Sequence, residues 1–233
     1  APARIIVLND PTTPLVMRGG TVEPGQDGHL RIAAEVRTAL GVPEVLLVPA
    51  ADPPHRPPPG AGAVDRVAML ELAIAGFGGI GIDLQEIERG GKSYTVDTLR
   101  QLRDEWPSRP LAWVVGADAF LGLLSWHRYR EVFDLAHLVV VARPGLDLAA
   151  SLDGELAQCW RARATTDPAA IARQAAGAIV TVATSPNPIS ATAIRAALAR
   201  SPIDAVALSR LLPTAVLTYI ESHHLYGAAA DAC

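Results

Sequence analysis

Six short apolar runs, separated by stretches of helical periodicity, constrain the fold of this chain more than any other feature. The runs are Leu15–Met17, Val45–Val48, Ile80–Leu84, Leu111–Val115, Leu138–Ala142 and Ile179–Ala183. Val45–Val48 is apolar without interruption, as a parallel strand is when helices cover both of its faces. Leu30, Ile32, Ala33, Val36 and Leu40 form one helical stripe, closed by Gly41. Val64, Val67, Ala68, Leu70, Leu72 and Ile74 form another. A further helix is predicted from Ser93 to about Trp106, where Pro107 stops it. A helical region spans Phe120–Leu135 with a break near Ser125 and Trp126, and Pro213 opens a last helix reaching about His224. Strands alternating with helices of this length imply βαβ units with right-handed crossovers. The expected architecture is a doubly wound, mostly parallel α/β sheet of the Rossmann-like kind.

The remaining segments fit around that frame. Residues 1–14 hold one apolar run, Ile5–Leu8, read either as an extra edge strand or as a loose leader. Residues 15–227 are expected to form a single domain and 228–233 a tail. The alanine-rich stretch 147–176 has helical propensity without a clear stripe, and the Pro/Gly-rich stretch 49–63 reads as a surface flap. With 233 residues, 50% of them hydrophobic and 19% charged, the chain can bury a sizeable core. Its net charge of −4 argues against a nucleic-acid partner. Cys159 and Cys233 show neither zinc-site spacing nor a disulfide framework. No apolar run approaches the ~18 residues of a membrane span, and the N-terminal run is too short for a signal-peptide core. A cytoplasmic protein with no membrane partner is expected.

In an open parallel sheet, ligands bind beyond the carboxyl ends of the strands. The unusual peptides of this chain fall there. Gly19-Gly20-Thr21 follows the first strand as a predicted turn, Pro53-Pro54-His55-Arg56 the second, and Gly116-Ala117-Asp118 the fourth. Arg143-Pro144-Gly145 follows the fifth and Asn187-Pro188-Ile189-Ser190 the sixth. His29 falls at the start of a helix, where unpaired amides and the dipole favour an anion. It reads either as a donor to an anionic oxygen or as a surface histidine after Gly28, and Gln26 shares its face if the turn is already helical. Ser190 is a plausible N-cap, with Thr192 and Arg195 on one side of the helix it opens. That group suits a polyphosphate, or it is a plain capped helix with a solvated arginine. Trp126 either stacks on a flat ring or packs in the core. Asp118 binds a hydroxyl, a metal or an amide, or caps a helix. His55 and Arg56 are phosphate ligands or solvated loop residues.

Taken together, these peptides resemble the bacterial nicotinate-mononucleotide adenylyltransferases, members of the HxGH nucleotidyltransferase superfamily. The resemblance covers about residues 15–227. It is carried by GGT at 19–21 with GHL at 28–30, VPAADPPHR at 48–56, ERGGKSYTVDTLRQL at 88–102, WVVGADAFLGLLSWHRY at 113–129, VVVARPG at 139–145, ISATAIR at 189–195 and LPTAVLTYIESHHLYG at 212–227. SYTVDTL combined with GADAF…W separates this family from the related pantetheine-phosphate and glycerol-phosphate enzymes. The resemblance implies that His29 contacts the α-phosphate of ATP, beside Gly19, Gly20 and Thr21. It implies that Ile189, Ser190, Thr192 and Arg195 hold the β- and γ-phosphates, and that Gly116 and Asp118 lie beside the adenosine. For nicotinate mononucleotide it implies Trp126 stacked on the pyridine ring, Thr95 at its carboxylate, and His55 and Arg56 near the mononucleotide. Mg²⁺ is expected with ATP, and no protein side chains are assigned to it. Monomer and homo-oligomer stay equally open.

One departure concerns chemistry. Where the family has GGTFDPxHxGH, this chain has GGTVEPGQDGH: Gln26 replaces the first histidine, Val22 the phenylalanine and Glu23 the aspartate. Catalysis is expected from His29, Gln26 and Arg195. Gln26 donates only a neutral hydrogen bond, and losing one charged donor of this kind typically costs on the order of 10²–10³ in rate. The alternative to an adenylyltransferase is therefore a catalytically impaired homologue that still holds nucleotides.

Overall fold

The computed structural model describes residues 10–20, 27–52, 60–185, 196–199, 208 and 212–227. The leader run Ile5–Leu8 lies outside them. Among the described residues, seven strands form one sheet: β1 (Leu15–Gly20), β2 (Val45–Pro49), β3 (Ile80–Ile82), β4 (Leu111–Gly116), β5 (His137–Ala142), β6 (Ala164–Thr165) and β7 (Ile179–Ala183). Their order is β3-β2-β1-β4-β5-β7-β6, and every neighbouring pair is parallel. The α-helices with both ends among the described residues are α1 (Asp27–Leu40), α2 (Ala63–Ile74), α3 (Gln85–Arg89), α4 (Thr95–Glu105), α5 (Ala117–Leu121), α6 (Tyr129–Leu135), α7 (Gly154–Arg163), α8 (Ala170–Arg173) and α9 (Thr214–Ser222). This is the doubly wound, Rossmann-like sheet that the periodicity predicts.

Strand alternation divides the interior into two layers. Val16, Leu47, Ala112, Val114 and Val139 face one way, against Leu30, Ala33 and Val36 of α1, Met69 and Leu70 of α2, and Val216 and Ile220 of α9. Leu15, Met17, Leu46, Trp113 and Val140 face the other, against Val96, Leu99 and Leu102 of α4 and Val132 and Phe133 of α6. Burying each such leucine, valine or phenylalanine contributes roughly 1.5–3 kcal/mol before chain entropy is set against it.

Polar side chains lock the amino-terminal edge of the sheet. The Arg103 guanidinium donates to the carbonyls of Trp106, Arg109, Leu135 and Ala175 at 2.6–3.1 Å. It thereby ties the ends of α4 and α6 to the segments entering β4 and β7. His137 is fully buried; its Nδ1 accepts from the Ala178 amide at 3.0 Å, and its Nε2 lies 2.8 Å from the Gln174 carbonyl. That pairing fixes the neutral tautomer with the proton on Nε2. Burial pushes its pKa down from the ordinary value.

Several local expectations need correction. Gly19 and Gly20 do not form a turn but complete β1. The third strand stops at Ile82, because the Asp83 carboxylate accepts the Gln85 amide (2.9 Å) and side-chain amide (3.1 Å) and bends the chain into α3. The helical region after β4 begins earlier than Phe120, at Ala117. Pro213 stands at the N-cap of α9 rather than as its first residue, and His223 and His224 lie just past the helix end. The stretch 147–176 contains not only helix but the edge strand β6, two residues long.

Candidate active site

β1, β2 and β3 build outward in one direction, and the chain then returns to lay β4 on the free side of β1. Strand order reverses at that point, and a crevice opens beyond the carboxyl ends of β1 and β4. The crevice holds a cleft of about 460 Å³. It is lined by Gly19 and Gly20 from β1, His29 from the first turn of α1, Thr95 from the first turn of α4, Gly116 at the end of β4, Asp118 just after it, and Trp126. The described part of the predicted site thus converges on one place. Arg143-Pro144-Gly145 follows β5 on the same rim but does not line the cleft. Thr21, Gln26, His55, Arg56, Ile189, Ser190, Thr192 and Arg195 lie outside the described residues.

The floor is shaped by a close approach. A Cβ on Gly19 would stand 2.2 Å from Cζ2 of Trp113, so only glycine lets the indole lie across the end of β1. Gly20, at φ 152°, takes a backbone conformation that side-chain-bearing residues rarely adopt, and its carbonyl accepts the Ala50 amide at 2.9 Å. β1 therefore ends with bare backbone facing the N-terminus of α1. Exposed backbone and a helix N-terminus are the elements that hold phosphate.

The opposite wall is pinned to the end of β2. The Ser93 amide donates to the Asp52 carbonyl, and the Ala51 amide donates to the Ser93 hydroxyl, both at 2.9 Å. Lys92 and Asp52 pair at 2.9 Å, but both are half exposed, and such a pair adds under about 1 kcal/mol. From α2, the buried Arg66 guanidinium donates to the Ala50 carbonyl at 2.6 Å. These bonds set where α4 begins and hence where Thr95 stands. The Tyr94 ring packs on His127 with centroids 4.4 Å apart, joining this wall to the loop that carries Trp126. Trp126 is half-buried: it packs against the second hydrophobic layer and at the same time lines the cleft. Asp118 is exposed and does not cap α5, whose N-cap is Gly116.

The cleft also contains residues that sequence reasoning did not single out. Arg18 lines it from β1; a charge inside an otherwise apolar strand was its visible signal. Glu86 lines it while only 3% exposed, and burial pushes its carboxyl up to about 7 despite the nearby Arg89. Nothing in the charged string QEIERGGK marks it out.

Comparison with known proteins agrees with this geometry. The profile of the cytidylyltransferase-like family matches residues 17–197. A protein of Laribacter hongkongensis, named "Probable nicotinate-nucleotide adenylyltransferase", is 45% identical over 223 residues, covering 95% of this chain and 98% of its own. One of the same name from Stenotrophomonas maltophilia is 47% identical over 215 residues, covering 89% and 94%. Among solved structures, the Plasmodium falciparum nicotinic acid mononucleotide adenylyltransferase complexed with NaAD superposes with a TM-score of 0.70 at 14% identity, covering 94% of this chain and all of its own. That last likeness concerns the fold alone. On the family match and the near full-length relatives, this chain belongs to the cytidylyltransferase-like family and, within it, to the nicotinate-nucleotide adenylyltransferases.

Proposed function

We propose that this protein transfers the adenylyl group of ATP to nicotinate mononucleotide, giving nicotinate adenine dinucleotide and pyrophosphate, a step of NAD biosynthesis. The observation that carries the reading is a cleft at the sheet's switch point that unites His29 and the N-terminus of α1 with Thr95 and Trp126, in a chain 45% identical to a relative so named. An oxygen of the mononucleotide phosphate attacks the α-phosphorus in line. The bond from that phosphorus to the bridging oxygen breaks, and pyrophosphate leaves with the electron pair. The attacking phosphate is already ionised, so neither a general base nor a protein nucleophile is needed. Catalysis rests on positioning and on donors aimed at the charge that develops.

In this reading the bare end of β1 lets the phosphates approach the amides of α1, and His29 donates to the α-phosphate. Gly116 and Asp118 flank the adenosine. Trp126 stacks on the pyridine ring, and Thr95, at an unpaired helix N-terminus, receives its carboxylate. Gln26, Arg195, Ser190, Thr192, Ile189, Thr21, His55 and Arg56 keep the roles that the resemblance implies. Mg²⁺ would come with the phosphates of ATP, where it would supply neutralisation of charge on the leaving group. The expectation of a cytoplasmic enzyme goes with this reading; among the described residues no helix is long and apolar enough to cross a membrane. The alternative of an impaired homologue finds no support in the relatives, which are named as enzymes. Pyrophosphate release with ATP and nicotinate mononucleotide tests the proposal. Turnover is expected, and its absence with ATP still bound would sink it.

A further inference from the structure

Among the described residues Glu86 is the one buried acid lining the cleft, and the transfer chemistry above does not use it. It sits on α3, is 3% exposed, and its Oε2 has no hydrogen-bond partner. Its surroundings come from four directions. On its own helix, Arg89 is engaged with Thr98 Oγ1 at 3.1 Å and Gln101 Oε1 at 3.4 Å. Before the helix stands Asp83, whose carboxylate is taken up by Gln85. From the acceptor wall, the hydroxyls of Ser93 and Thr98 reach the Glu86 carboxyl. From α2, Arg66 is committed to the Ala50 carbonyl, and around the same cleft stand Arg18, His29, Asp118 and His127. Glu86 thus shares the cleft with Thr95 and Trp126, and its carboxyl, one oxygen of which is buried without a hydrogen-bond partner, belongs to the lining where the acceptor's ring substituent is expected.

We infer that Glu86 is a specificity-determining residue of the acceptor pocket, which donates a hydrogen bond to an anionic ring substituent when neutral and excludes it when ionised. The inference rests on the acceptor site proposed above. A neutral carboxylic acid gives a carboxylate a short, charge-assisted O–H···O⁻ bond. An ionised Glu86 would oppose that carboxylate with a like charge in a pocket that screens it poorly. An uncharged carboxamide meets either state, because it both donates and accepts. The choice between an acidic and a neutral pyridine mononucleotide is then set by the proton on this side chain. Burial raises the carboxyl to about 7, and Asp83 adds to the rise while Arg89, Ser93 and Thr98 oppose it, so the choice turns over near neutrality.

The test measures kcat/KM for nicotinate mononucleotide and for nicotinamide mononucleotide between pH 6 and 8.5, in the full chain and in Glu86→Gln. The ratio of the two removes every titration that both acceptors share, including their phosphates, ATP and His29. In the unaltered protein the nicotinate-to-nicotinamide ratio is expected to fall by about 30-fold across that range, as a single ionisation near 7 requires. In Glu86→Gln, which is neutral at every pH, the ratio should be flat. Glu86→Asp keeps an ionisable acid and should keep a pH-dependent ratio; a flat ratio there overturns the inference even where Glu86→Gln does not fold. A flat ratio in the unaltered protein, or the same slope in Glu86→Gln, overturns it while leaving the adenylyl-transfer reading intact. No turnover of either acceptor overturns both.

Discussion

Replacing Gly19 with alanine separates two reasons for a glycine at the end of β1. Gly19 is not among the residues with positive φ, so alanine can adopt its backbone without strain. The whole cost must come from contact. The new methyl would meet Cζ2 of Trp113 at 2.2 Å and Cη2 at 2.8 Å. Carbon atoms settle at about 3.5–4.0 Å, so the indole would have to withdraw by roughly 1.3 Å or more. Trp113 is 4% exposed and packed into the second hydrophobic layer, where there is little room to withdraw. Overpacking of this kind costs about 1–3 kcal/mol, and the severity of the overlap puts Gly19→Ala in the upper half of that range. For a chain of this size the melting temperature should drop by roughly 5–10 °C. Urea unfolding followed by circular dichroism measures the loss, and a double-mutant cycle with Trp113→Leu assigns it. In the Trp113→Leu background, Gly19→Ala should cost less than about 0.5 kcal/mol, a coupling of about 2 kcal/mol between the sites. An equal cost in both backgrounds, or none in either, would refute the contact as the reason for Gly19.

Three further outcomes follow from the site and the core. His29→Ala should lower kcat on the order of 10²–10³, because it removes a donor at the reacting phosphorus; a change confined to the KM for ATP would place His29 on a spectator phosphate. Trp126→Ala should raise the KM for the acceptor on the order of tenfold by losing the stacking surface, with the KM for ATP little changed; equal loss for both substrates would mean a packing role only. His137 is held neutral by burial, which depresses its pKa in the folded state, so its contribution is present above the ordinary value of 6.5 and is lost as pH falls through and below it. Urea unfolding between pH 8 and 5 should show that decline in the unaltered protein and a shallower one in His137→Gln; identical slopes would exclude His137 as the source.

The sheet was readable because parallel strands buried on both faces leave long apolar runs, as at Val45–Val48 and Leu138–Ala142, and because α1 and α4 carry clear stripes. β6 left no such trace: two residues at the sheet edge, Ala164 and Thr165, are half-buried and too few to show a period. α3 was hidden for a different reason. It starts from a side-chain bond of Asp83 that breaks β3 off early, and turn chemistry of that kind competes with the apolar pattern of Ile80–Leu84. Of the residues that line the cleft, those embedded in distinctive peptides stand out in the sequence, including His29, Thr95, Gly116, Asp118 and Trp126. Gly19 reads as a turn glycine in the sequence, whereas its reason is Trp113, far away in the chain and close only across the sheet. Glu86 was missed altogether. What distinguishes it is burial, and burial belongs to the packing of α3 rather than to any local string.

The division of the interior into two layers has a bearing on how such a protein can change. His29 rides on α1, whose apolar face enters one layer, while Thr95 and Trp126 are carried by α4 and a loop packed on the other. The sheet stands between them as a common partition. In the proposed reading, substitutions that reshape the acceptor wall therefore repack a core that α1, which carries the phosphate-facing His29, does not share. Preference for one pyridine over another can then drift in descent, or be altered by selection in the laboratory, while the phosphate grip carried by α1 is inherited unchanged.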